Sequence, residues 1–419
     1  GIIASTHDDF YFGTYDDAGN MLTNPAAFME TDGAKKFLNF NEDGFAGIAE
    51  GGKYYTHDFD GKTAYRVIYR PNMIHPLVAF STTCVGYAVD FFDTTLGAPK
   101  PLPASDQIWP IKAVFNSLGV IGLLIFMVSF TLVLLDTPVF SALRSGEIVQ
   151  PAPVQDSGAK AWYWVLLIIG AVFSGSSFLF CMNTVYSKTT NFFVQTGPLT
   201  IGTWAALCGV FAIFCSAVFY GAYGKKHGWS ARRAGLYLNL EQLWKTIALA
   251  VIVIVVSFGL VFAAHYFFQV DYRMYVVAFK TFGADKVLIA LRYLPFFLLF
   301  YVMNSISANC FNYNTIGGKN GNILIFAFFN ALGAIFVVAS QYIYFYATGY
   351  QLYGLTEGQR IGPIWLFPCM VLLFVTPIMS RIIYKRTRNP YIAGLINAMF
   401  IVMISCSNTT TILGGGELI

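Results

Sequence analysis

The apolar and polar positions divide the chain into two parts. From about residue 113 to residue 413 the apolar residues run in long blocks separated by short polar stretches. Eight blocks stand out: 113–135, 161–182, 199–223, 246–268, 287–310, 323–348, 364–384 and 391–413. Each supplies roughly the 20 apolar residues that a helix needs to cross a bilayer's hydrocarbon core. In lipid each backbone N–H and C=O must be bonded within its own segment, so eight transmembrane helices are expected.

The residues before this array have a shorter, mixed pattern. Residues 2–6 form an apolar run ending in His7-Asp8-Asp9, as expected of a buried strand with a carboxylate at its C-terminal end. Asp16-Asp17-Ala18-Gly19-Asn20 and Gly51-Gly52 are turn chemistry, and Asn24-Pro25 opens a turn or a helix over 26–40. Two strands, 53–57 and 63–69, are joined by the hairpin signal Asp58-Phe59-Asp60-Gly61. Residues 71–76 read as a loop, 78–96 as an amphipathic helix and 97–103 as a Pro-rich linker. Trp109 and Lys112 suit the membrane interface. The order is α/β in flavour but short for a complete doubly wound domain; it matches the last third of one. The expected architecture is a mainly α membrane protein, with a partial α/β domain at 1–108 followed by a multi-pass helical domain at 109–419.

Composition sharpens this division. Of 419 residues, 56% are hydrophobic and 11% charged, whereas soluble domains carry about 25% charged residues. The net charge of +4 comes without a dense basic tract, so nucleic-acid binding has little support. Of seven cysteines only Cys84 precedes the apolar array, so no disulfide can form within the leading domain. No zinc spacing and no cofactor motif is visible. The sequence begins at Gly1, and no charged stretch followed by an apolar run is visible there, so no signal peptide is read from it. Its opening Gly1-Ile2-Ile3-Ala4-Ser5 reads as the middle of a strand, so an N-terminally cut fragment is expected, and the end after Gly414 reads as cut too.

Positive charge in short loops marks the cytoplasmic side. With eight spans, Arg144, Lys160, Lys225, Lys226, Arg232, Arg233, Lys245, Lys319, Lys385, Arg386 and Arg388 share one side. Lys188, Arg273, Lys280, Lys286 and Arg360 share the other. The leading domain is then extracytoplasmic and the protein a multi-pass cell-membrane protein.

Two stretches carry candidate chemistry: Ser5-Thr6-His7-Asp8-Asp9-Phe10 and Arg70-Pro71-Asn72-Met73-Ile74-His75-Pro76. With the strand and helix around them, they resemble the C-terminal part of an α/β-hydrolase, a family whose triad runs Ser, Asp or Glu, then His along the chain. Some bacterial α/β-hydrolase-like proteins have polytopic tails, and this chain resembles those. The resemblance covers about the first hundred residues. It implies His75 as general base and then acid, Asp8 as the carboxylate that fixes its tautomer, and Asp9 as the alternative acid. Two features depart from the family. The interval from Asp8 to His75 is long, and no Gly-x-Ser-x-Gly occurs in the chain. The nucleophile is therefore expected upstream of Gly1, and the fragment alone is expected to be inactive. The plain alternative is that Asp8-Asp9 is a surface turn or helix cap and His75 an ordinary loop histidine. His7, Asp8 and Asp9 with His57, Asp58 and Asp60 offer mixed metal ligands, but no ligand spacing enforces a site, so none is expected.

Within the apolar array, His265 and Arg292 are ionisable residues inside spans. Such residues mark functional sites by default, although snorkelling or pairing between helices is the commoner reading. Asn304, Ser305, Ser307, Asn309, Asn312 and Asn314 form a polar patch, either interhelical glue or a loop facing water. The primary expectation is a membrane-embedded serine hydrolase-like protein that cleaves an ester, thioester or amide of a small-molecule or lipid-like acyl substrate, without a cofactor. The rival is a transporter or permease working through Asn304, Asn309, Arg292 and His265, with the leading domain as accessory. A third reading is an anchored sensory protein that binds a ligand without turnover.

Overall fold

A computed structural model describes residues 1–18, 21–97, 99–100, 102–154 and 156–412, with only the backbone of Lys319. Parts of the turn at 16–20, the linker at 97–103 and the last apolar block therefore lie outside the described residues. The chain falls into two compact units. One comprises Gly1–Ala113 with Val338–Trp365, the other Val114–Val337 with Leu366–Ile419.

In the first unit the strands are short. They are β1 (Ile2–Ile3), β2 (Thr14–Tyr15), β3 (Met21–Thr23), β4 (Tyr55–Phe59), β5 (Lys62–Arg66) and β6 (Ile68–Tyr69). They pair two by two, β1 with β6 in parallel and the other two pairs antiparallel. The expected remnant of a doubly wound sheet is thus, among the described residues, a single parallel pair. The β4–β5 turn follows its sequence signal. Asp60 and Gly61 take φ of 51° and 77°, the left-handed pair required by a two-residue hairpin turn of matching twist.

The expected helix at 26–40 is split. Pro25–Glu30 forms a 3-10 turn capped by Asn24, and Thr31 then caps α1 (Asp32–Leu38) by accepting from the Ala34 N–H at 3.3 Å. The expected loop at 71–76 ends early, because His75 and Pro76 open α2 (His75–Val78), where proline fits the first turn. The expected helix at 78–96 is broken after Val78. Ser81 accepts from the Cys84 N–H and starts α3 (Thr82–Leu96). Ala4, Ala34, Leu38 and Ile68 form this unit's apolar centre.

Among the described residues eight helices are long and apolar enough to cross a membrane: α4 (Trp109–Leu135), α5 (Ser157–Thr184), α6 (Thr196–Ala222), α7 (Leu240–Phe268), α8 (Ala284–Ile306) with its extension to Phe311, α9 (Gly318–Thr348), α10 (Glu357–Thr387) and α11 (Pro390–Ser407). The protein is a multi-pass membrane protein, mainly helical, with a bilayer as its surroundings. All eight expected spans are present. The last ends at Ser407, short of the expected 413, because Asn408 turns its side-chain amide onto the Ala278 and Ile404 carbonyls at 2.8 Å. A hairpin of β7 (Tyr272–Met274) and β8 (Val277–Phe279) between α7 and α8 has no counterpart in the sequence reading.

Helix α11 is the core of the second unit, with 78% of its span window buried, against 17–39% for the others. Small residues let the backbones meet. A Cβ on Gly394 would lie 2.8 Å from the Val302 Cα, and one on Gly333 would lie 2.8 Å from the Gly175 N. At the end of α8 the chain widens into a π-helical turn, Ser307–Phe311, closed by Asn312 N–H donating to the Ser307 carbonyl at 3.0 Å. Such a turn inserts one residue into the helical repeat and is frequent at functional sites.

Candidate functional site

The parallel pairing of β1 and β6 continues past the strands. Ala4 N–H donates to the Tyr69 carbonyl and Thr6 N–H to the Pro71 carbonyl, both at 2.9 Å, and His7 bridges Ile74 in parallel. Ser5 Oγ donates to the Met73 carbonyl at 2.7 Å. Two segments running side by side in this way deliver the residues after each strand to the same end. Asp8 and His75 meet there, 67 residues apart in sequence.

Asp8 is 2% exposed and its two oxygens are used differently. Oδ1 accepts the N–H groups of Phe10 and Tyr11, at 3.0 and 2.6 Å. Oδ2 lies 3.0 Å from His75 Nδ1. With Nδ1 engaged, Nε2 is the nitrogen left to exchange a proton. The His75 side chain remains 37% exposed, with the Tyr11 ring centred 5.0 Å from its own. The hydrogen bond to Asp8 raises the His75 pKa above its ordinary 6.5.

Asp9 has another task. Its Oδ1 accepts the His75 backbone N–H at 3.1 Å, and its Oδ2 accepts the Tyr342 hydroxyl at 2.6 Å. Gln351 donates its side-chain N–H to the Asp9 carbonyl. Asp9 therefore grips the histidine's backbone, while Asp8 meets the ring. Complete burial pushes its pKa up to about 6, against the opposing effect of the Tyr342 hydrogen bond.

The last turns of α9 present one face to this loop. Besides Tyr342, Phe345 lies edge-on to the His7 ring at 5.5 Å and Tyr346 stacks on it at 4.4 Å. Positions 342, 345 and 346 share a helical face. Sequence reasoning missed these residues, because aromatic residues in an apolar block look like any other span residues.

His57 sits on β4 against Phe40 and Phe59. Among the described residues no three His, Cys, Asp or Glu side chains gather to hold a metal.

The four candidates in the apolar array do not converge. His265 is exposed in the last turn of α7. Arg292 donates to the Phe192 carbonyl at 3.0 Å and lies over the Phe192 ring. Asn304 donates to Asn330 Oδ1 at 2.6 Å. Asn309 belongs to a network centred on Arg381, which the sequence reading passed over although it interrupts the apolar block 364–384. Arg381 is 3% exposed. Its Nε donates to Asn309 Oδ1 at 2.8 Å, Nη1 to Asn322 Oδ1 at 2.9 Å and Nη2 to the Ala308 carbonyl at 2.5 Å. Its guanidinium also stacks 3.9 Å from the Tyr313 ring centroid. These three acceptors are neutral and lie on the π-turn and on the start of α9.

No family model, no curated protein and no solved structure matches the chain.

Proposed function

We propose that the first unit carries the acid and base of an α/β-hydrolase-type site that cleaves an ester, thioester or amide of a lipid-like or small-molecule acyl substrate. What supports this is the 3.0 Å contact between Asp8 Oδ2 and His75 Nδ1 at the ends of two adjacent parallel segments. In this reading the acyl carbonyl is attacked by a serine hydroxyl that lies outside this chain. His75 Nε2 takes the hydroxyl proton as the bond forms and returns it to the leaving group. Asp8 holds the Nδ1–H tautomer and stabilises the imidazolium. Asp9 is a positioning residue that fixes the start of α2 through the His75 N–H.

The proposal includes the side on which the unit lies. The basic clusters Lys225, Lys226, Arg232 and Arg233, and Lys385, Arg386 and Arg388, fall on one side by span parity, which puts Gly1–Ala113 on the other, outside the cytoplasm. The bonds from Tyr342 and Gln351 to Asp9 agree with this parity, since the loop after the sixth span returns to the side of the leading residues.

The test is labelling by a fluorophosphonate probe of the protein expressed from its full reading frame in membranes. Labelling that His75→Ala abolishes, with membrane insertion unchanged, is the expected result. Absence of labelling in the inserted wild type, or labelling that survives His75→Ala undiminished, overturns the reading.

A further inference from the structure

The second unit contains a cleft that the hydrolase reading does not use. It lies between the middle of α5, the C-terminal half of α6, the end of α8 and the first half of α9, and encloses about 850 Å³ of empty space including its open side. These are depths at which a spanning helix meets hydrocarbon. Most of its wall is apolar, with the Phe173 and Phe211 rings stacked at 4.0 Å and Phe300 and Phe311 nearby. One end is polar, formed by Asn304, Ser307, Asn312 and Asn330. Among the described residues no charged side chain lines it.

The polar end depends on the π-turn. Ser307 opens that turn and Asn312 follows it, with Asn312 Nδ2 donating to Ser307 Oγ at 3.3 Å. Arg381 holds the turn by its bonds to Ala308 and Asn309, and by its bond to Asn322 ties it to α9. The cation thus lies behind the wall, stabilised by neutral acceptors, while the polar end of the cleft presents amides and the Ser307 hydroxyl. A side-chain amide has two N–H donors and a carbonyl with two lone pairs. The bond to Asn330 uses one N–H of Asn304. An occupant must therefore combine an apolar body with an uncharged hydrogen-bonding group, and a charged head would be left unpaired in a low dielectric.

We infer that the cleft is a binding site for a neutral lipid drawn from the bilayer, with one acyl chain among the phenylalanine rings and its ester or hydroxyl group on Asn304, Ser307 and Asn312. This site is independent of His75.

The protein provides its own means of testing this. Cys208 and Cys215 line the cleft and are free thiols. Gly170 also lines it, and a Cβ there meets nothing within 4 Å, so a side chain at this position has open space to start from, and Gly170→Leu is expected to take up part of the cleft. The probe is a diacylglycerol with a diazirine in one acyl chain, applied to the protein in phosphatidylcholine vesicles. Crosslinks are expected on cleft-lining peptides of α5, α6 and α8, displaced by unlabelled diacylglycerol and reduced several-fold in Gly170→Leu. Unlabelled diacylglycerol is also expected to slow maleimide alkylation of Cys208 and Cys215 in the wild type, a readout that needs no variant. Crosslinks of equal strength on outward positions such as Val172 and Phe180, undisplaced by unlabelled lipid, would overturn the inference. Displacement by phosphatidic acid as effective as by diacylglycerol would overturn the preference for an uncharged head, and unchanged alkylation rates would overturn occupancy of the cleft.

Discussion

Asp8 and Asp9 are neighbours with the same side chain and opposite surroundings. Asp8 holds an imidazole, and replacing it by Asn keeps the shape but favours the wrong histidine tautomer. In the proposed mechanism Asp8→Asn lowers turnover by about 10³–10⁴-fold, read as the rate of fluorophosphonate labelling. Asp9 is buried without a cation, so the folded state holds its proton more tightly than the unfolded chain does. Its contribution to stability is complete below the ordinary 3.8 and lost as pH rises through about 6. A shift of this size corresponds to on the order of 3 kcal/mol. The thermal midpoint is expected to fall across this window in the wild type and to stay level in Asp9→Asn. His75, with its pKa raised by Asp8, continues the same downward trend above 6.5. At this scale the sequence offered Asp8 and His75 as candidates because their order and flanking elements resemble those of an α/β-hydrolase. It offered no sign of Tyr342, whose partner lies 333 positions away.

The long helices were legible because a 20-residue apolar block has few alternatives in lipid. Shorter elements were less so. Ser81 and Thr31 break runs whose composition suits continuous helix, and a capping hydrogen bond accepted by one hydroxyl from a backbone N–H decides each break. The π-turn was equally hidden, since nothing in Ser307-Ala308-Asn309-Cys310-Phe311 announces an i→i+5 repeat. Its stability should depend on Arg381. Arg381→Met leaves the Asn309 and Asn322 side-chain oxygens and the Ala308 carbonyl without their donor. Losing three charge-assisted bonds outweighs the relief of a buried cation, for a net loss of about 2 kcal/mol. Arg381→Lys should fare little better, because one ammonium lacks the planar fork that spans three acceptors. Thermal unfolding in detergent, followed by a thiol-reactive dye, reads both.

For the whole molecule, hydropathy and chain contacts divide the residues by different criteria. The sequence suggests a boundary near 108, whereas the first unit also includes Val338–Trp365, taken from the ends of two membrane helices and the loop between them. Hydropathy places those residues with the spans, while their side chains are committed to the acid loop. The orientation proposed here predicts that Lys62→Cys reacts with an impermeant maleimide on intact cells, and that Lys226→Cys reacts only after the membrane is opened. The reverse pattern would refute it.

The tyrosine and glutamine that clasp Asp9 have a practical corollary for protein production. A soluble fragment ending near residue 108 would discard both, stranding a dehydrated carboxylate beneath the histidine it should steady. Anyone excising this portion for solution work should expect a slack, poorly behaved product unless the distant tether is grafted back.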